Sequence, residues 1–176
     1  LTEGYEPFEF SGKLYGNGYT IKLNHNYPEK SYIGLFSKLL KGSVVSDVVI
    51  EGKVCGNTYV GGIAGYTDGK ILNSMNYASV STPSEDTYKG THGGGITGAL
   101  SVYGGISGCA NYGEIKGRSS YFGGIVGVAN KGKVVFCENY GKVSTHLGGG
   151  AYGGIAGNSS NGIVEKCLNT GSIKAS

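Results

Sequence analysis

A chain of 176 residues that is 39% hydrophobic has the length of one domain and enough apolar surface to bury, which argues against intrinsic disorder. Glycine supplies 35 residues against 3 prolines and follows no triplet period, which excludes collagen. The formal net charge of +3 arises from scattered lysines and the single Arg118, without the basic cluster that nucleic acid requires, and no run approaches the roughly 20 apolar residues of a membrane-spanning helix.

Residues 1–33 read as a unit of their own. The segment from Phe8 to Leu23 alternates apolar and polar residues around Asn17-Gly18, the pattern of a hairpin or of an opening coil. Such a unit is expected to cover one end of a repeat array. The first residues lack a signal-peptide pattern. Leu1 opens without a methionine and the last repeat stops just after its final strand, so the expectation is a fragment of a longer protein.

From residue 34 to 176 one pattern recurs. A glycine followed by an aliphatic residue stands at Gly34, Gly62, Gly95, Gly124 and Gly154, at offsets of 28, 33, 29 and 30. Downstream, Val45, Ile71, Ile106, Val134 and Val164 share a column. Three residues later come Val48, Ser74, Cys109, Cys137 and Cys167. Next are Ile50, Asn76, Asn111, Asn139 and Asn169, and then Val54, Val80, Ile115, Val143 and Ile173. Fixed internal spacing at a period of about 30 is the mark of stacked repeats, none able to bury its apolar face alone. Each repeat reads as three short strands, for example Phe122–Gly127, Lys133–Cys137 and Lys142–Ser144, with a corner at Asn139–Gly141. No apolar stripe of helical period is present. The chain is therefore expected to be all-β: a right-handed parallel β-helix, or β-solenoid, of about five coils with an N-terminal cap.

The columns suggest roles. Asparagine tolerates left-handed backbone and bonds its own main chain, so Asn76, Asn111, Asn139 and Asn169 suit corners and can stack as an amide ladder. Cys109, Cys137 and Cys167 share a column with Val48 and Ser74, the habit of small buried side chains. Three in a row cannot all pair, so reduced thiols are expected. Cys55 lies outside that column, and no C-x-x-C supports zinc or redox chemistry. Tyr77, Tyr112 and Tyr140 each follow a corner asparagine and should point outward. A ladder of such rings either stacks on sugar faces or a protein partner, or simply strengthens the sheet. Tyr121, Phe122 and Tyr152 extend either reading. The insertion from Ser81 to Gly93 and the loop from Ser144 to Gly150 are where a rigid scaffold tends to carry specificity, which makes Glu85, Asp86 and Tyr88 candidate ligand contacts.

The blocks Tyr32–Phe36, Gly61–Gly65, Gly123–Gly127 and Gly153–Gly157 resemble the GLUG motif, and Cys109–Gly113, Cys137–Gly141 and Cys167–Gly171 resemble its companion block. The opening Phe10–Ile21 is similar to the segment that introduces such arrays. The resemblance covers nearly the whole chain. It implies a secreted or surface-anchored bacterial protein of the adhesin-like kind, or a non-catalytic region of an immunoglobulin A metalloendopeptidase. It carries over no catalytic residue.

Catalytic signatures are missing from the sequence as well. His25, His92 and His146 form no H-E-x-x-H, and His92 and His146 fall too many coils apart to share a metal. No column repeats an acid, as the paired carboxylates of a glycosidase would require, and Glu85-Asp86 reads as a solvated loop pair. Gly127 to Lys133 imitates the start of a phosphate loop, but Val134 replaces the required hydroxyl residue. The expectation is a domain without catalytic residue, metal or cofactor, serving adhesion or as a spacer towards a host protein, glycan or cell-wall polymer. The alternatives are, second, an accessory region of a secreted protease and, third, a polysaccharide-acting β-helix enzyme. An exposed last coil also allows end-to-end self-association.

Overall fold

A computed structural model describes residues 5–83, 90–118, 120–145 and 150–174; Glu85, Asp86, Tyr88 and His146 lie outside these stretches. The described residues hold no helix, and their strands pair in parallel as a β-solenoid of about five turns. Successive coils feed four sheets.

The columns read from the sequence are columns in space. Val45, Ile71, Ile106, Val134 and Val164 are register partners in turn, with Leu14 at the N-terminal end. Ile50 and the four column asparagines follow the same rule, as do Val54, Val80, Ile115, Val143 and Ile173. These side chains point inward, and the axial core contains Ile71, Ile106, Val134, Val80, Ile115 and Val143, all essentially inaccessible. Parallel strands of this kind bury one face of every coil against the next.

Two expectations need correction. From the second repeat onward a coil has five strands rather than three, whereas the first repeat keeps three: the fourth repeat comprises Ser120–Gly123, Val126–Asn130, Lys133–Val135, Glu138–Asn139 and Val143–Thr145. The strand expected over Lys133–Cys137 stops at Val135 because Phe136 takes a left-handed φ of 53°. Asp47, Asn73, Gly108 and Lys166 occupy the same place in other coils with φ of 56°, 46°, 65° and 54°. The reason is geometric. Inward side chains alternate with period 2 along a strand, yet Val134 and Cys137 are three apart and both buried. One left-handed residue between them breaks the alternation and turns the corner.

The second correction is one of register. Leu35 N donates to Gly62 O at 3.2 Å as Gly62 N donates to Gly95 O at 3.1 Å, so Leu35, not Gly34, occupies the glycine column in the first repeat.

Asparagine shapes another corner. Asn76 Nδ2 donates to Ala78 O at 2.9 Å, and Ala78 N donates to Asn76 Oδ1 at 3.2 Å. The side chain thus replaces main-chain partners and bends the chain. Where Ile21 and Ile50 take this position, the strands Thr20–Tyr27 and Val49–Gly56 run through unbroken; from Asn76 onward the stretch divides into pairs such as Met75–Asn76 and Ser79–Ser81.

The N-terminal unit is a coil, not a hairpin. Glu9–Phe10, Lys13–Tyr15 and Thr20–Tyr27 each pair in parallel with the following coil. Phe10 stacks on Phe36 with centroids 4.5 Å apart, and Tyr5 stacks on His25 at 5.7 Å, which closes this end of the core. At the other end Ile163, Val164, Leu168 and Ile173 remain exposed.

Candidate functional site

The ten-stranded sheet carries the first candidate site. On its inner side, Asn76 Nδ2 donates to Asn111 Oδ1, Asn111 Nδ2 to Asn139 Oδ1, and Asn139 Nδ2 to Asn169 Oδ1, each at 2.8 Å. Gly62, Gly95, Gly124 and Gly154 lie across the coil from these amides. Asn76, Asn111 and Asn139 are fully buried, so these three amides are part of the core and cannot meet a ligand, while Asn169 at the end of the row is exposed.

Fixing the asparagines inward sends the next residue outward. Tyr77 stacks on Tyr112 with centroids 4.6 Å apart and planes 5° from parallel, and Tyr112 stacks on Tyr140 at 4.9 Å and 8°. The three rings are 47%, 41% and 41% exposed. Tyr140 Oη donates to Glu138 Oε2, and that carboxylate holds the phenol above its ordinary pKa. Beside the rings, Lys142 Nζ lies 2.8 Å from Glu114 Oε1, which also accepts from Ser144 Oγ at 3.3 Å. Lys142 in turn holds the Glu114 carboxyl below its usual range.

The stacking restricts what the ladder can recognise. Rings this close cover one another's faces, and only the outer faces of Tyr77 and Tyr140 are free of another ring in the stack. The surface offered is a row of ring edges and phenol hydroxyls flanked by charges of both signs. It suits hydrogen bonding along an extended partner better than sugar stacking ring by ring.

A second aromatic stack stands at the corner before the glycine blocks, and of its members only Tyr121 stood out in the sequence. Tyr32 stacks on Tyr59 at 5.0 Å; His92 follows at 4.9 Å from Tyr59, and Tyr121 at 5.4 Å from His92. Tyr66 stands nearly perpendicular to Tyr32 and Tyr59, at 6.4 and 6.3 Å. The available signal was an aromatic residue two or three positions ahead of each glycine–aliphatic pair; the mixture of tyrosine and histidine obscured it. Phe122 and Tyr152 form a further stacked pair at 5.8 Å, with Phe122 fully buried.

The cysteines are all free thiols, with Cys109 and Cys137 buried and Cys55 and Cys167 half-buried. Cys137 Sγ donates to Val135 O at 3.2 Å and Cys109 Sγ to Ser107 O at 3.5 Å, and burial pushes the Cys109 thiol well up. His92 packs within the second ring stack with Nδ1 2.8 Å from Thr91 O. Among the described residues, no three His, Cys, Asp or Glu side chains gather closely enough to hold a metal ion, and no helix is long and apolar enough to cross a membrane. The segment resembling a phosphate loop is a strand end and a turn, with Lys131 at a φ of 59°. Compared with protein-family models, curated proteins and solved structures, the chain matches none.

Proposed function

We propose that this chain is a non-catalytic binding module of a bacterial cell-surface or secreted protein, which presents the outer face of its ten-stranded sheet to a host protein, glycan or cell-wall polymer. The observation that carries this reading is the Tyr77–Tyr112–Tyr140 stack, partly exposed on a face whose strands are held rigidly from behind by the amide ladder. A fixed row of aromatic edges and hydroxyls loses little side-chain entropy when it binds, which is why tyrosine is favoured at recognition surfaces. The resemblance of the repeats to GLUG motifs supports the same location and role.

The test is a binding panel of mucin glycans, immunoglobulin, matrix proteins and peptidoglycan fragments, run with the chain and with a Tyr77→Ser, Tyr112→Ser, Tyr140→Ser variant of confirmed fold. Binding by the chain and its loss in the variant is the expected result. Binding that survives in the variant would refute the ladder as the receptor surface. Binding by neither would leave the solenoid a spacer or an accessory scaffold.

A further inference from the structure

A cavity of about 380 Å³ opens at the corner where the second ring stack meets the six-stranded sheet that begins at Glu9. Its walls are Tyr32, Tyr66 and Leu40, and its rim carries Glu9, Lys38 and Asp68. The fold builds this arrangement directly. Glu9 and Lys38 are register partners, and so are Lys38 and Tyr66, so three coils place their side chains in one outward column. Asp68 N bonds Leu39 O at 2.8 Å, and its carboxylate accepts from the Ser101 hydroxyl, which fixes the acid at the edge of the same column. Tyr32 and Tyr59 take left-handed backbone, with φ of 61° and 59°, and hold their paired rings against Tyr66. Bulky residues rarely adopt that conformation, and where they do the surrounding structure fixes it.

The chemistry of the lining narrows the ligand. Lys38 Nζ sits 4.9 Å over the Tyr32 ring and 2.8 Å from Glu9 Oε1, so a cationic ligand would have to displace an ammonium already lodged there. Two carboxylates against one paired ammonium repel an anion. A wholly apolar ligand would strip water from three charged groups and bond none of their remaining lone pairs and N–H groups. A ring with an apolar C–H face and equatorial hydroxyls meets each demand. Its face lies on Tyr66 and Leu40, and its hydroxyls donate to Asp68 and Glu9 and accept from Lys38. Burial, with the Asp68 charge nearby, raises the Tyr66 phenol above its ordinary pKa. The volume lies at the low end for small-molecule sites and accommodates one or two sugar rings.

We infer that this cavity is a binding site for one or two rings of a neutral saccharide. It is separate from the tyrosine ladder and stands or falls independently of it.

The experiment is a titration of the isotope-labelled chain, followed by amide chemical shifts, with cellobiose, diacetylchitobiose, lactose and mannobiose. Sialyllactose and choline serve as the charged comparators. At least one neutral disaccharide should shift the amides of Lys38, Tyr66 and Asp68 saturably below about 10 mM, as expected of a weak site. Asp68→Asn, which keeps the shape of the site, and Tyr66→Ala should each weaken binding about tenfold or more, whereas the Tyr77→Ser, Tyr112→Ser, Tyr140→Ser variant should bind as the parent does. Should Tyr66→Ala fail to fold, Asp68→Asn alone decides. The inference is overturned if no neutral sugar shifts these amides, if sialyllactose or choline shifts them at lower concentration than every neutral sugar, or if Asp68→Asn binds as tightly as the parent.

Discussion

Gly124 leaves the space that the Asn139 side chain fills: a Cβ placed on Gly124 would lie 2.2 Å from Asn139 Cγ and 2.2 Å from Gly154 O. Gly62 faces Asn76 Oδ1 at 2.3 Å and Gly95 faces Asn111 Cγ at 2.4 Å in the same way. The glycine column and the asparagine column are thus two halves of one packing unit, repeated coil after coil.

Gly124→Ala should therefore cost about 2–4 kcal/mol, since the obstruction includes backbone and no rotamer can relieve it. Gly105→Ala is the control. A Cβ there meets nothing within 4 Å, and the change should be neutral or stabilise by about 0.5 kcal/mol. Denaturant unfolding of both variants reads the difference; equal midpoints would refute the packing argument.

Asn111→Ala removes the donor to Asn139 Oδ1 and the acceptor for Asn76 Nδ2 inside a fully buried site. A loss of about 2–3 kcal/mol is expected. Asn169→Ala deletes an exposed member of the ladder and should cost about 1 kcal/mol or less, because water replaces the missing partners. Similar losses at the two positions would mean that the ladder contributes no more inside than outside.

Phe136 holds a left-handed φ of 53° while 56% exposed, and the Lys166 ammonium lies 5.0 Å over its ring. Replacing it with glycine removes about 1 kcal/mol of backbone strain, partly offset by the flexibility gained in the unfolded chain. Phe136→Gly should unfold at the same or a slightly higher denaturant concentration. A clear drop would show that the ring contributes packing that outweighs the strain.

His25 is 2% exposed, lies against Tyr5 and Tyr27, and has no hydrogen-bond partner at Nε2. Burial holds its pKa below the ordinary 6.5. In the folded chain the ring stays neutral, while the unfolded chain takes up the proton first. The stability it contributes is complete above about pH 6.5 and is lost as pH falls towards the folded pKa, at about 1.4 kcal/mol for each unit separating the two. His92, also depressed by burial, acts with the same sign. His25→Val matches the Val54 column beside it, so the melting temperature of that variant should fall less between about pH 7.5 and 5.5 than that of the parent. An unchanged difference would place the pH sensitivity elsewhere.

The columns were legible because each inward position recurs at a fixed place and is filled by a residue whose size or amide suits one role. Asn111 and Ile115 could be read that way, and so could the outward direction of Tyr112. What escaped depends on departures from period 2. Phe136 and Lys166 take a conformation that their chemistry does not advertise, while the corresponding Asn73 and Gly108 do. The first repeat carries Leu35 where the others carry glycine, so a comparison by residue type slipped to Gly34. Nothing in the residue pattern marked His25 as a core residue, yet it is buried at a valine position. The cavity beside Tyr66 arises where two sheets meet, and no single repeat contains it.

The amide ladder also has a direction. Asn76 gives its N–H to Asn111, Asn111 to Asn139 and Asn139 to Asn169, so the group dipoles add head to tail along the solenoid axis. In a buried, weakly polarisable setting each such bond strengthens its neighbours. An amide in the middle of the row is therefore held more firmly than one at its margin, and the resistance of a coil to opening rises with the number of coils on either side of it. The molecule behaves less like a stack of equal parts than like a polarised wire, stiffest at its midpoint and easiest to loosen where the row stops.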